Sequence, residues 1–336
     1  MTTTRAWNII GNRRWGYLLS ALIIIPGIIA LVVWGLDLGI DFTGGTLMDL
    51  RLGRDASVSE IRAVLATFGH QEAVIQKTPE QPNQVLIRTA ALDEPTVARI
   101  QAALGQRFGG VDRAASSVAN VGPQIGRELR TRAVTAVLIG LVLQLLYISW
   151  RFRSVRFALT ADVALFHDLL IVVGLFALLR KEIDSAFVAV LLTVIGYSVN
   201  DTVVIFDRIR DTLAQRLRLP FAEMVNRSIL EVLVRSLTTG IGAVMAILAI
   251  YVFGGVTIRD FALGLGIAVI TGTYSSIFVA SPLLVDWENW SERRAGRAAG
   301  EAARLPVPAP ESEREPERPV VFSNPPRKRR RNRGRR

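Results

Sequence analysis

The chain has 336 residues, of which 50% are hydrophobic, and it carries 40 Lys and Arg against 29 Asp and Glu. A mean hydropathy of +0.35 is too high for an ordinary soluble domain, so much of the chain must face lipid. The formal charge of +11 lies mostly in loops and in the C-terminal segment, which does not favour a nucleic-acid-binding protein. Cysteine is absent and only His70 and His167 are histidines, so we expect no metal site and no cofactor.

Six apolar runs are each long enough, at roughly 20 residues, to cross the hydrocarbon core as helices. They are Tyr17 to Leu36, Ala133 to Trp150, Phe157 to Leu179, Ser185 to Phe206, Ser236 to Val256 and Phe261 to Val285. The first has about twice the apolar length of a secretory signal and no small-residue cleavage site after it, so we interpret it as an uncleaved anchor. The sequence therefore predicts a membrane protein with an all-α six-helix transmembrane bundle.

The arginines predict the orientation, because cytoplasmic loops carry an excess of Lys and Arg. With a cytoplasmic N-terminus, the inside segments hold Arg5, Arg13, Arg14, Arg151, Arg153, Arg156, Arg208, Arg210, Arg216, Arg218, Arg227 and Arg235. The short outside loops then hold only Arg180, Lys181 and Arg259. We expect a multi-pass protein of the inner (cytoplasmic) membrane with both termini in the cytoplasm.

Three arginines argue the other way. Arg127, Arg130 and Arg132 precede the second apolar run, on the outside in this orientation. They lie beside Glu128 in a segment that looks like an amphipathic helix at the interface. A helix that links a large translocated domain carries little weight in the rule, so the predicted orientation stands.

Residues 37–126 are polar, and their pattern predicts an ordered domain outside the membrane. The predicted elements are a strand at Met48 to Leu52, a helix with a Ser57 and Glu60 capping box, strands at Ala73 to Lys77 and Gln84 to Thr89 joined by a Pro79 to Asn83 turn, a helix capped by Asp93, and a strand at Val111 to Val118,. The order βαββαβ is that of an extracytoplasmic α+β ferredoxin-like domain. It pairs no nucleophile with a base, so we expect a binding or mechanical module and not an enzyme.

Four motifs resemble one known family in order and in spacing. They are Gly39-Ile40-Asp41-Phe42-Thr43-Gly44-Gly45-Thr46, Val121-Gly122-Pro123, Phe166-His167-Asp168, and the stretch from Gly196 to Arg210 in the fourth run. All four are similar to the SecF family of protein-export membrane proteins, in the resistance-nodulation-division superfamily. The resemblance covers about residues 5 to 290.

The resemblance implies a function and a set of partners. A member of this family works with SecD beside the SecYEG channel and uses the proton-motive force to promote late export of preproteins. YajC, YidC and membrane lipids are further partners that it implies. One alternative is a half-transporter of the same superfamily that exports lipid or small molecules, and another is a passive scaffold. With six spans and one outer domain, the chain looks like one half of a pseudo-symmetric pair.

Ionisable side chains inside a membrane cost about 2.5 to 3.5 kcal/mol on insertion scales, so each needs a reason. We predict a proton pathway that involves Asp201, Arg235, Asp168, His167 and Asn200. Asp201 and Arg235 are expected at matching depth near the cytoplasmic end. Purely structural roles stay open for several of these residues. Asp162 is within snorkelling range of the interface, and Arg235 could serve as a positive-inside anchor. His167 and Asp168, about 100° apart on a helix, could simply fix helix packing.

Gly39, Asp41, Gly44 and Gly45 form a second candidate site. Glycines around Asp41 are typical of a tight turn, which is needed where a helix leaves the membrane and a strand begins. The same glycines would make a hinge between the first span and the outer domain. The two interpretations are compatible.

The sequence divides into four predicted segments. They are the N-terminus with the first span (1–36), the outer domain (37–126), the remaining spans (127–290) and a basic cytoplasmic tail (291–336). The tail is rich in Pro, Glu and Arg from Leu305 onward and ends in arginine runs, so we expect it to be disordered. It either reinforces the topology or binds anionic lipid or the ribosome through its charge.

Overall fold

The computed structural model of the chain describes residues 7–78 and 81–302. The elements follow in the order α1 (Arg13–Trp34), β1 (Asp37–Leu38), α2 (Ile40–Thr43), β2 (Gly45–Leu52), α3 (Val58–Ala66), β3 (Val74–Thr78), β4 (Gln81–Thr89), α4 (Glu94–Phe108), β5 (Val111–Val121), α5 (Pro123–Phe152), α6 (Val155–Leu178), β6 (Glu182–Ile183), α7 (Ser185–Ala214), α8 (Phe221–Phe253), α9 (Val256–Ser275), one π-helical turn (Ser276–Ala280) and α10 (Ser281–Ala302). Six stretches of helix in these residues are long and apolar enough to cross a membrane, so the predicted number of spans is confirmed.

Several membrane helices are longer than their apolar runs. Helix α5 begins at Pro123 and α8 at Phe221, well before the runs that start at Ala133 and Ser236. Hydropathy detects only the part of a helix that faces hydrocarbon, and the polar turns before it continue the same helix. The last candidate span, Ile258–Arg294, joins α9, the π-helical turn and α10.

The segment between α1 and α5 forms an antiparallel four-stranded sheet in the order β3-β4-β2-β5. Its strands and helices follow in the order strand, helix, strand, strand, helix, strand. Its core contains Met48, Leu50, Ile61, Leu65, Ile87, Ile100, Leu104 and Phe108, none of which is exposed to solvent. The capping box at the start of α3 forms as predicted, since Glu60 N donates to Ser57 Oγ at 3.2 Å and Ser57 N donates to Glu60 Oε2 at 2.9 Å. We call this sheet with α3 and α4 the outer domain.

Two element boundaries in the outer domain differ from the prediction. The predicted turn at Pro79 to Asn83 is wrong in its second half, because β4 already begins at Gln81; Pro79 and Glu80 lie outside the described residues. A proline close to the start of a strand is tolerated because its missing N–H costs little there. Strand β5 runs to Val121 and not Val118, and its register against β2 shifts between Asp49 and Arg51.

The end of the chain is described only in part. Helix α10 continues to Ala302, so residues 291–302 of the predicted tail are helical. There the Arg294 guanidinium lies 5.3 Å from the centre of the Trp290 ring. Residues 303–336, with the arginine runs on which the tail prediction depends, lie outside the described residues.

Helices α1 and α6 approach each other at a pair of glycines. A Cβ atom added at Gly27 would lie 2.9 Å from the Cα of Gly174, and one added at Gly174 would lie 3.0 Å from the Cα of Gly27. Small residues let helix backbones approach closely in a membrane, where packing has to replace the hydrophobic effect. Neither glycine stood out in the sequence.

We expect Gly174→Val to lower the thermal stability of the purified protein, because the new side chain would meet backbone atoms of α1. Overpacking of this kind typically costs about 1–3 kcal/mol. Gly242→Val is the matched control, because a Cβ atom at Gly242 meets nothing within 4 Å. Equal midpoint temperatures for the two variants, measured by the same thermal scan, would contradict the close approach.

Candidate functional site

Asp168 is the most completely buried carboxylate of the bundle, with no exposed surface. Its Oδ2 atom accepts hydrogen bonds from Ser198 Oγ on α7 at 2.6 Å and from Ser275 Oγ on α9 at 2.7 Å. Its Oδ1 atom lies 2.9 Å from Nδ1 of His167. Both oxygens of Asp168 therefore have partners, which is the usual condition for a polar group in an apolar interior.

His167 extends this network to α1. Its Nε2 atom lies 2.8 Å from Ser20 Oγ, which lies 3.2 Å from the hydroxyl of Tyr274. The Tyr274 hydroxyl in turn donates to the carbonyl of Gly16 at 2.6 Å. Although consecutive residues on a helix start about 100° apart, the two side chains bend toward each other, so His167 and Asp168 do belong to one network.

Asp201 has a different environment. It is 4% exposed, and its Oδ2 atom has no hydrogen-bond partner among the described residues. The hydroxyl oxygens of Tyr197, Ser236 and Thr273 are also buried and unpaired. The Thr273 hydroxyl is close enough to Tyr197 and Asp201 to affect both groups, but its geometry does not meet that of a hydrogen bond to either of them. We call Tyr197, Asp201, Ser236 and Thr273 the unpaired cluster.

The unpaired cluster carries a cost that packing does not explain. Each buried polar atom without a partner typically costs about 1–3 kcal/mol. Helix α8 is close by, since a Cβ atom at Gly240 would lie 2.9 Å from Thr273 Oγ1. An unpaired carboxylate oxygen beside unpaired hydroxyl groups is suited to accept a proton or a hydrogen bond from ordered water, whereas both oxygens of Asp168 already have protein partners,.

Arg235 lies on α8 within electrostatic range of Asp201. Arg208 and Arg227 both bind Glu231, whereas Arg235 has no ion pair in the part of the chain that the structure describes. Its side chain is exposed. Arg235 and Asp201 therefore lie near each other, as their predicted depths require, but no direct salt bridge joins them among the described residues.

Two further polar residues lie apart from the unpaired cluster. Asn200 is exposed on α7, so the structure does not bring it together with the buried Asp201. Asp162, on α6, has one buried oxygen without a partner and shares no hydrogen bond with Asp168 or Asp201 among the described residues.

Sequence reasoning missed most of the hydroxyl groups in the Asp168 network and in the unpaired cluster. Ser20, Ser236, Thr273, Tyr274 and Ser275 were not among the predicted site residues. The signal was present, because Thr271, Thr273, Ser275 and Ser276 lie close together within an otherwise apolar run. Such hydroxyls in a membrane helix bond across to neighbouring helices.

The second candidate site is the turn between α1 and the outer domain. The backbone N of Ser185 donates to Asp41 Oδ2 at 2.9 Å, and the Ser185 hydroxyl donates to the same oxygen. Ser185 is the first residue of α7, after the N-cap residue Asp184, so Asp41 adds a second carboxylate to the start of that helix from a distant part of the chain. A carboxylate at a helix N-terminus is also favoured by the helix dipole.

The glycines of this turn are needed for close contact. Gly44 has φ +75°, and a Cβ atom there would lie 2.7 Å from the Cα of Pro123. A Cβ atom at Gly45, with φ +143°, would lie 2.5 Å from the carbonyl oxygen of Thr89. At Gly39 it would lie 2.5 Å from an oxygen of Glu182. These contacts support the tight-turn interpretation, and hinge motion stays a prediction.

Arg88 ties the outer domain to the same region. The strands β1 and β6 pair in parallel, with Asp37 opposite Glu182, and the buried Arg88 guanidinium on β4 donates to Asp37 Oδ1 at 3.3 Å and to Glu182 Oε2. Burial raises the pKa of Glu182 above its ordinary value, and the Arg88 charge opposes that rise. Sequence reasoning missed Arg88, which resembles any other polar residue of an alternating strand.

Comparison with known proteins identifies the family. The family model described as "Protein export membrane protein SecD/SecF, C-terminal" matches residues 101–290, and the model of the SecD/SecF GG motif matches residues 29–56. The chain belongs to the SecD/SecF family. The first match contains Asp168, Asp201 and Arg235, and the second contains Asp41 with its glycines.

Individual relatives agree with this assignment. Protein translocase subunit SecF of Thermobaculum terrenum is 43% identical over 297 residues, which cover 82% of this chain and 93% of the relative. Protein translocase subunit SecDF of Thermus thermophilus is 38% identical over 303 residues, which cover 88% of this chain and 40% of SecDF. A crystal structure of SecDF from Thermus thermophilus matches with a TM-score of 0.78 at 36% identity, over 86% of this chain and 40% of that one. This chain therefore spans less than half of SecDF.

We expect Arg88→Gln to destabilise the pairing of strands β1 and β6, because Asp37 and Glu182 would then face each other without a positive charge between them. Hydrogen exchange followed by mass spectrometry should show faster exchange at residues 37–38 and 182–183. The effect should shrink as pH falls through the raised pKa of Glu182, because the neutral carboxyl no longer repels Asp37. Lys77→Gln is the matched control, because it removes a cation bound to Asp55 in the same sheet. Equal exchange in both variants at every pH would refute the link.

Proposed function

We propose that this chain is a proton-driven accessory subunit of preprotein translocation, which acts with a SecD partner to promote export across the cytoplasmic membrane. The observation that carries the proposal is Asp201, a buried carboxylate that has an unpaired oxygen and lies within electrostatic range of Arg235. Membership of a family of protein-export membrane proteins supports a protein as the exported substrate. The names of the relatives support a role as a subunit of a protein translocase.

Asp201 and Arg235 would work as a switch. A buried carboxyl group is favoured in its neutral form, while an approaching guanidinium favours the ionised form. Because Arg235 is near Asp201 without a direct ion pair, a small movement of α8 against α7 changes the balance between the two forms. Alternation between them would let a proton enter from one side and leave on the other. His167 and Asp168 hold the helices together while this happens.

A partner chain fits the exposed polar residues of the membrane helices. Asn200 and Arg235 are exposed on helices that are apolar enough to span a membrane, and such groups are costly against lipid. A second six-helix half would cover them. Support for SecD as that half comes from relatives named SecDF, of which this chain matches only 40%.

The outer domain is proposed as a ferredoxin-like domain on the outer side of the membrane, within residues 37–126. Its four strands, two helices and strand order support this fold,. Asp41 joins its base to the first residue of α7, the helix that carries Asp201. Movement of the outer domain would therefore act on the helix of the proton site.

The orientation is tested with introduced cysteines, since the chain has none of its own. With both termini inside, Ser57→Cys should react with a membrane-impermeant thiol reagent in spheroplasts, because the outer domain faces outward. Ser323→Cys should react only after the membrane is permeabilised. Labelling of Ser323→Cys in sealed spheroplasts would reverse the orientation.

The proton site is tested with Asp201→Asn, which keeps the side-chain shape but cannot titrate. We expect normal assembly and membrane insertion, with the part of export that depends on the proton-motive force reduced to the level of vesicles without this chain. A larger gradient should not rescue it. The measurement is protease-protected preprotein in inverted vesicles, with and without a protonophore.

Two variants make this result specific. Asp162→Asn removes a half-buried carboxylate that also has an unpaired oxygen but, among the described residues, no arginine in electrostatic range, and it should export normally. Arg235→Lys should be milder than Asp201→Asn, because it keeps the charge and loses only the planar fork. Normal proton-dependent export by Asp201→Asn would make Asp201 a packing residue.

A further inference from the structure

A groove of about 330 Å³ lies between α5 and α7, at the end of the bundle next to the outer domain. Its walls are apolar and include Leu36, Val134, Val137, Leu138, Val173 and Leu191. Arg130 is the one charged residue among the described residues that line it. The groove therefore has an apolar body with a positive charge at one end.

Arg130 is available to a ligand. Its side chain is exposed, and it has no ion pair among the side chains that the structure describes. Arg132 differs, because it binds Glu128 at 2.5 Å. Arg127 lies one turn before Arg130 and on the same face of the helix, and it is likewise exposed. Arg130 thus lies at the polar end of the groove, and one turn before it Arg127 supplies a second guanidinium that has no ion pair among the described residues.

The length of the groove matches one leaflet of a bilayer. From Arg130 to Leu138 helix α5 rises about 12 Å at 1.5 Å per residue. The hydrocarbon of one leaflet is about 15 Å thick, half of the usual core. A chain of methylene groups that starts at the level of Arg130 would therefore lie along the groove for most of one leaflet.

We propose that this groove binds an anionic phospholipid, with one acyl chain between α5 and α7 and the phosphate at Arg130 and Arg127. A guanidinium binds phosphate through two parallel hydrogen bonds, and the apolar walls below Arg130 are suited to an acyl chain. The site gives a role to two of the three arginines that oppose the positive-inside pattern. It is independent of the proton pathway.

The position of the groove connects it to the base of the outer domain. Phe42 of α2 and Phe187 of α7 also line it. These residues flank the contact in which Asp41 binds the start of α7 at Ser185. A lipid in the groove would therefore pack against the turn that joins the outer domain to α7.

The test uses the purified full chain and native mass spectrometry. The protein is incubated with equal amounts of phosphatidylglycerol and phosphatidylcholine of the same acyl chains, and the bound lipids are counted. The wild type should retain one phosphatidylglycerol in preference to phosphatidylcholine. Arg130→Gln should lower that preference about fivefold, the effect of one arginine near an anionic headgroup.

Three further variants make the test decisive. Arg132→Gln removes the same charge from an arginine already paired with Glu128, and should leave the preference unchanged. Val134→Trp should fill the groove and reduce retention of both lipids. If Arg130→Gln cannot be purified, Arg130→Lys replaces it, and a reduced preference is again expected because the fork is lost.

Three results would overturn the proposal. Equal losses in Arg130→Gln and Arg132→Gln would show diffuse charge attraction and no site. A wild type without preference for phosphatidylglycerol would exclude headgroup recognition. A photo-crosslinker at Val134 that captures another protein chain in membranes, with no lipid adduct, would assign the groove to a partner helix.

Discussion

Hydrocarbon offers no hydrogen-bond partner to a polar side chain, and the bundle is organised around this constraint. Asp168 satisfies it with hydroxyl groups from α7 and α9 and with the adjacent His167, which reaches Ser20 on α1. Removing His167 would leave Asp168 Oδ1 without its partner, and removing Ser20 would leave His167 Nε2 without its partner,. The network therefore fixes how four helices are placed, and the close approach of α1 and α6 is compatible with it.

The contrast between Asp168 and Asp201 follows from the same constraint. Both oxygens of Asp168 are bonded to groups on α6, α7 and α9, so Asp168 is suited to hold helices in place. Asp201 has an oxygen without a partner among the described residues, so gaining a proton there breaks no hydrogen bond. The proposed proton switch is placed at Asp201 for this reason, and a part for Asp168 and His167 in the same pathway stays a prediction.

The features that local patterns encode could be predicted from the sequence. Apolar runs locate the spans, alternation locates the strands, and the Ser57 capping box starts α3. The contacts of the two candidate sites could not be predicted, because they join residues far apart in the chain: 94 positions separate Arg88 from Glu182, and 144 separate Asp41 from Ser185. A single arginine in a strand gives no local sign that its partner lies in a loop between two membrane helices.

Two contacts from the outer segment converge on that loop. Arg88 binds Glu182, and Asp41 binds Ser185, so residues 182–185 are held from β4 and from the turn after α1. The turn packs closely, because a side chain at Gly44 or Gly45 would meet backbone atoms of Pro123 or Thr89. A displacement of the outer domain must therefore either break both contacts or carry the start of α7 with it. Helix α7 also bears Asp201. If the start of α7 moves with the outer domain, that movement would therefore be transmitted to the carboxylate of Asp201 within the bundle.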